Sequence, residues 1–166
     1  MKRFLNSENI YLRAFTKKDL SILHKLNSDA EVMKYVKKPE TLEESKTTLN
    51  KILNSYDGNG LGIWAAIHND TNEFMGFYIL YEYENTDEVE IGYRLHKKFW
   101  GKGYATEMSK VLIDYGFDVL ELRDIFAVTQ EGNIASEKVL KKCGLRKSGT
   151  TEKYYNAKLN YHKILN

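Results

Sequence analysis

VEIGYRLHKKFWGKGYATE, residues 89–107, decides how this chain is read. Its first seven residues alternate, with Ile91, Tyr93 and Leu95 on one face of a strand and Glu90, Gly92 and Arg94 on the other. Its last residues open an amphipathic helix, in which Ala105, Met108, Leu112, Tyr115 and Val119 recur every three or four positions, with Val111 beside them. Between strand and helix lies a loop with glycines at 101 and 103. A loop at that place offers unpaired amides and the positive end of a helix dipole, so its natural ligand is an anion, phosphate above all. Glycine lets the backbone turn sharply and come close to an oxygen, having no Cβ in the way. Two phosphate motifs fail here. A Walker A loop requires Ser or Thr after its lysine, and Lys102 is followed by Gly103. A dinucleotide fingerprint requires a small residue where Thr106 stands, and it follows the first strand of a βαβ unit, whereas this loop ends a meander.

The elements on either side support the meander. Residues 63–68 (IWAAIH) and 74–83 read as a hairpin across the turn cluster at 69–72, and a further turn at 85–87 leads into the strand at 89–95. Upstream, Ile10, Leu12 and Ala14 alternate as a strand. Capping boxes at Thr16/Asp19 and Thr41/Glu44 then open two helices, the second ending near Asp57 and Gly58. Downstream, residues 125–129 (IFAVT) suit a buried strand, and Ile134, Ala135, Val139 and Leu140 a helix stopped by Gly144. Two weaker strand signals, at 153–155 and 161–165, flank a turn at 156–160. The expected order is strand, two helices, three strands, helix, strand, helix, two strands.

Composition narrows the function. With 166 residues, 42% of them apolar and 29% charged, the chain suits one ordinary globular domain, expected over 1–166. A net charge of +2 gives no basic field, so nucleic acid is not an expected direct partner. No apolar run has signal-peptide or membrane-span length, so a cytoplasmic protein without membrane contact is expected. One cysteine, Cys143, excludes an internal disulfide and reads as a small core residue. Four scattered histidines suggest no metal site.

The loop, with its flanks, resembles the GNAT superfamily of acetyl-CoA-dependent N-acetyltransferases. The superfamily signature, Arg/Gln-x-x-Gly-x-Gly/Ala, maps onto residues 100–105, with Trp100 in place of Arg or Gln. The string WGKGYATE (100–107), with EIGYRL before it and GNIASEKVLKKCGL (132–145) after it, resembles the branch of ribosomal-protein alanine N-acetyltransferases. The resemblance covers the chain from Ile10 to about Leu165. It implies an α+β fold: a single GNAT-like domain with a mixed, mostly antiparallel sheet flanked by helices, its central strands splayed.

Acetyl-CoA is the implied co-substrate, with no metal. Its diphosphate is expected on the amides of Gly101, Lys102, Gly103, Tyr104, Ala105 and Thr106, with Lys102 adding charge and Trp100 also counted among the cofactor-binding residues. Its pantetheine arm is expected beside Tyr93 and Leu95, pairing with their main chain like an extra strand, and against Asn133. Asn133 also reads as an ordinary helix N-cap. In the implied reaction an amine attacks the thioester, an N–H near Leu95 receives the oxyanion, Ser136 protonates the departing thiolate, and Glu90 is the candidate base. The leading acceptor is a protein N-terminal α-amine. A polyamine, amino acid derivative or aminoglycoside is the alternative, and a non-catalytic acetyl-CoA-binding domain a third reading. Tyr35, Trp64 and Tyr83 are open candidates for the acceptor pocket.

Overall fold

Alternation in the strands and three-to-four spacing in the helices give each element one apolar side, and the tertiary structure stacks those sides in layers. A computed structural model describes residues 3–56, 58–83, 86–153 and 157–166. In chain order the elements are β1 (Arg3–Asn6), β2 (Ile10–Ala14), α1 (Leu20–Asn27), α2 (Ala30–Met33), α3 (Leu42–Asn54), β3 (Gly62–His68), β4 (Phe74–Glu82) and β5 (Val89–Leu95). Then come α4 (Tyr104–Asp118), β6 (Asp124–Thr129), α5 (Ile134–Lys142), β7 (Arg146–Thr151) and β8 (Leu159–Leu165). The strands form one sheet in the order β1-β2-β3-β4-β5-β6-β8-β7. Its neighbours pair antiparallel except β5 and β6, which run parallel, so the sheet is mixed and mostly antiparallel, as expected.

One face of the sheet buries Leu12, Trp64, Tyr78, Leu80 and Ile91 against Met108 and Leu112 of α4. The other buries Ala65, Ile67 and Phe77 against Leu23 and Leu26 of α1 and Leu49 and Ile52 of α3. Both capping boxes form. Thr41 and Glu44 exchange bonds of 3.2 and 2.7 Å at the start of α3. Asp19 accepts from the Thr16 amide at 2.7 Å and opens a 3-10 turn (Lys17–Asp19) that runs into α1. Asp19 also accepts two bonds from Arg13, at 2.9 and 2.8 Å. Burial alone would raise its pKa, but these hydrogen bonds outweigh burial and hold it below the ordinary value.

Some expectations need correction. β1 carries no clear alternation and was not foreseen; Phe4 secures it by stacking on Trp64, centroids 4.4 Å apart. The last hairpin begins earlier than 153: β7 occupies Arg146–Thr151, an almost wholly exposed edge strand with no apolar face to read. Tyr154, Tyr155 and Asn156, on which the expected strand and turn partly rested, lie outside the described residues, as do Asn85 and Asp57. Val119 is 64% exposed, just past the end of α4, because that helix stops one residue short of it. Ile134, in the first turn of α5, is exposed as well.

Candidate active site

The site begins where β5 loses its neighbour. The amide of His96 donates to the Met75 carbonyl on β4, 2.8 Å away. Main-chain groups alternate in direction along a strand, so those of Tyr93 and Leu95 turn the other way, towards β6. Yet β5 and β6 share a single registered pair, Glu90 with Phe126, among the described residues. Beyond it the strands part, leaving the Tyr93 and Leu95 main chain facing a gap in the middle of the sheet. Backbone polar groups inside a sheet are costly unless something pairs with them, so a peptide-like ligand fits this gap chemically. Gly76 fixes the neighbouring stretch of β5. It has φ +144°, and a Cβ there would stand 1.9 Å from the Arg94 carbonyl oxygen, so no other residue permits this approach of β4.

After β5 a short 3-10 turn (Lys97–Phe99) brings Trp100 back over the strand end, where its indole Nε1 donates to the Leu95 carbonyl at 2.8 Å. Trp100 is 46% exposed, so it is part of the cleft wall and not a core aromatic. Gly101 (φ +73°) and Gly103 (φ +87°) both take left-handed backbone, and a Cβ on either would meet nothing within 4 Å. Open space over two glycines at a helix start is room for a ligand oxygen. Gly103 is the N-cap of α4 and supplies no side-chain cap, so the first amides of the helix remain directed at that space. The one acid in the first turn, Glu107, is drawn elsewhere: it accepts from the amide and side chain of Asn9 at 2.8 and 3.0 Å. Burial would raise the Glu107 pKa, but bonds from Ser7 and Asn9 prevail and lower it.

Across the gap stands α5. Asn133 caps it, its Oδ1 accepting from the Ser136 amide at 3.3 Å, so the ordinary capping role is real and coexists with a place in the cleft wall. The Ser136 hydroxyl lies 3.3 Å from the Tyr93 hydroxyl. Burial raises the Tyr93 pKa against the opposing effect of the Ser136 bond, so its phenol is protonated at neutral pH. Cys143 is buried, and burial pushes its thiol up to about 11. A protonated thiol in the core is no nucleophile.

These parts enclose a cleft of about 520 Å³. All the residues expected at the site line it except Lys102, which is exposed on the loop, and Glu90. Glu90 is 9% exposed, not on an open face as a strand glutamate commonly is, and it sits across from Phe126 where the two strands still pair. Of the open aromatic candidates, Tyr35 lines the cleft, Trp64 is core, and Tyr83 packs by Phe126 and Leu159. Sequence reasoning missed Glu31, Val32 and Lys34 around α2, and also Arg94, all of which line the cleft. The four-residue α2 is too short for periodicity to reveal. Arg94 had a signal, a guanidinium on the strand leading straight into the glycine loop. The carboxylate of Glu31 is bound at 2.7 and 2.6 Å by Lys97, and the Lys34 ammonium lies 5.1 Å from the centre of the Tyr35 ring.

A sheet parted beside one strand, with a glycine-hinged helix mouth at the end of the gap, defines the acyltransferases that take their acyl group from coenzyme A. Residues 9–146 match the acetyltransferase (GNAT) domain, and the chain belongs to that family. It is therefore an acetyl-CoA-dependent N-acetyltransferase, and its eight-stranded mixed sheet is the fold of that family. It is 32% identical over 152 residues to the uncharacterized N-acetyltransferase YnaD of Bacillus subtilis, covering 90% of this chain and 86% of that one. A more distant relative, spermidine N(1)-acetyltransferase of Escherichia coli, is 25% identical over 154 residues (87% and 76% covered). Among solved structures, a GNAT-family acetyltransferase from Bacillus anthracis superposes with a TM-score of 0.83 at 29% identity, over 97% of each chain.

Proposed function

We propose that this enzyme, as one catalytic domain, acetylates an α-amino group, in the first place that of a protein N-terminus. The observation that carries the reading is the charge of the cleft. Among the described residues its only lining carboxylate is Glu31, and Lys97 already binds it, while Lys34, Arg94, Lys138 and Lys142 contribute cations. A polyamine has no acidic lane to follow there. An α-amine, with a pKa of about 7.7–8.0, is substantially neutral near physiological pH and needs little electrostatic help.

In this reading the amides from Gly101 to Thr106 hold the diphosphate and the Tyr93 and Leu95 main chain holds the pantetheine arm. The amine nitrogen attacks the thioester carbonyl carbon, whose oxygen takes a hydrogen bond from the Leu95 N–H. The C–S bond breaks, and the sulfur takes its proton from Ser136, whose hydroxyl Tyr93 steadies. Glu90, beside the last paired rung of β5 and β6, receives through water the proton that the amine gives up; Glu90 then releases that proton to solvent as solvent returns one to the Ser136 oxygen, so both side chains end as they began. With acetyl-CoA as donor, the cytoplasm is the compartment assigned.

The test is kcat/KM for an alanine-initiated peptide and for spermidine between pH 6.5 and 10. The peptide rate is expected to rise with the titration of its α-amine and then level off near pH 8–9. Efficient acetylation of spermidine with no peptide turnover overturns the acceptor while leaving the acetyltransferase in place.

A further inference from the structure

Arg94 leaves β5 on the face opposite α4, and a buried network fixes where its guanidinium points. Its Nη1 donates to the Asn27 Oδ1 at 2.6 Å, and its guanidinium carbon lies 4.9 Å from the centre of the Phe77 ring. Asn27 is fully buried, and its amide has one consistent orientation, because its Nδ2 donates to Glu40 at 2.9 Å while its oxygen accepts from arginine. Glu40 is 4% exposed and in turn accepts from Ser45 (3.0 Å), Thr48 (2.9 Å) and Lys37 (2.7 Å). Burial would raise the pKa of Glu40, but these bonds keep it below the ordinary value, so it is ionised. The network ties α1 and α3 to β5, and the end of it that reaches the cleft is Arg94.

A planar, preoriented guanidinium suits a carboxylate better than any other partner. Arg94 also stands one residue before Leu95, whose N–H faces the gap where the thioester is proposed to lie. We infer that Arg94 determines specificity by binding a carboxylate that the acceptor carries close to its amine. The inference rests on the proposed use of this cleft for amine acetylation. Two sources supply that chemistry: an Asp or Glu side chain at the start of a protein, or the α-carboxylate of a free amino acid.

The test compares kcat/KM for peptides beginning Ala-Glu, Ala-Gln and Ala-Lys, and for alanine against alaninamide. The wild type is expected to favour the carboxylate member of one series by about tenfold to a hundredfold, as one charge-assisted hydrogen-bonded contact allows. The series that shows the preference identifies the source. Arg94→Gln brings that ratio near one, Arg94→Lys keeps part of it, and Arg94→Glu turns it towards Ala-Lys. Equal wild-type rates across both series overturn the inference, and so does an Arg94→Gln variant that lowers every substrate by the same factor, which is the mark of a purely structural arginine. If no α-amine is acetylated, the proposed acceptor falls, and calorimetry with the CoA-loaded protein judges Arg94 separately. Acetyl-Ala-Glu peptide is expected to bind more tightly than acetyl-Ala-Gln in the wild type only; equal binding overturns the Arg94 inference too.

Discussion

Trp100 stands where the superfamily signature has Arg or Gln, and the structure gives it work that neither would do in the same way: its indole N–H holds the Leu95 carbonyl. Trp100→Phe keeps the ring and removes the donor. It is expected to raise the KM for acetyl-CoA several-fold, since a lost neutral hydrogen bond is typically about 0.5–1.5 kcal/mol, while kcat changes less. Ser136→Ala is expected to do the reverse, lowering kcat on the order of 10²-fold with little change in acetyl-CoA affinity, because a proton donor acts in the transition state. An unaltered kcat with chemistry rate-limiting removes Ser136 from the mechanism. At this scale the sequence was legible wherever a residue's chemistry leaves no substitute. Gly101 and Gly103 were readable from type and spacing because left-handed backbone at a helix mouth demands glycine. Glu31 and Lys34 were not, since nothing in a short unpatterned helix and its flank says which cleft they will face. Glu90 was readable as a strand residue, but its burial depends on the neighbour that β6 supplies.

At the scale of elements, α4 is both a core helix and the floor of the anion site, and the two roles can be separated. Gly103→Val puts a β-branched side chain on left-handed backbone, so some stability is lost; an L-residue there pays roughly 1–2 kcal/mol. The added carbons enter the space over the helix mouth and not the core, so the variant is expected to fold. CoA at about 100 times its dissociation constant adds roughly 2.7 kcal/mol to the wild type and should add nothing to the variant. A wild-type melting temperature unmoved by saturating CoA would sink the assignment of the loop. Gly76→Ala is the contrasting case. Its Cβ collides with backbone, so thermal stability falls and β4 and β5 are pushed apart beside Leu95. Strands β2 to β6, the capping boxes and α4 were legible because periodicity and caps are local. β7 was not, because an exposed edge strand is held by its pairing with β8 and carries no pattern of its own.

For the whole molecule, acid is expected to act in two stages. His96 and His162 have pKa values lowered, by burial first, so below their unfolded value near 6.5 the unfolded chain takes up protons that the folded one refuses. Stability therefore begins to fall as pH drops through 6.5. Asp19, Glu40 and Glu107 have depressed carboxyl pKa values, so their contribution is complete above the ordinary carboxylate range and is lost as pH falls through their folded values. Melting temperature is expected to be flat between pH 7 and 8, to decline between 6.5 and 5, and to drop further below 4. His162→Asn should shrink the upper stage and leave the lower one. A profile level from pH 7 down to 5 would contradict the histidine part.

The gap beside β5 has another consequence. A sheet normally ends in two outer margins, and each invites a stray strand from another chain to add itself, the beginning of aggregation. Parting β5 from β6 creates two more such margins in the interior of the molecule, with α4 and α5 on one side and the segment around α2 on the other. Walled in by those elements, they are set apart from the two outer margins, which any neighbour can approach. Whatever pairs with them must lie lengthwise in the cleft with its amides turned towards the strand, as a slender chain of amide groups would. The fold thus keeps one adhesive surface where a small partner is favoured over a foreign strand.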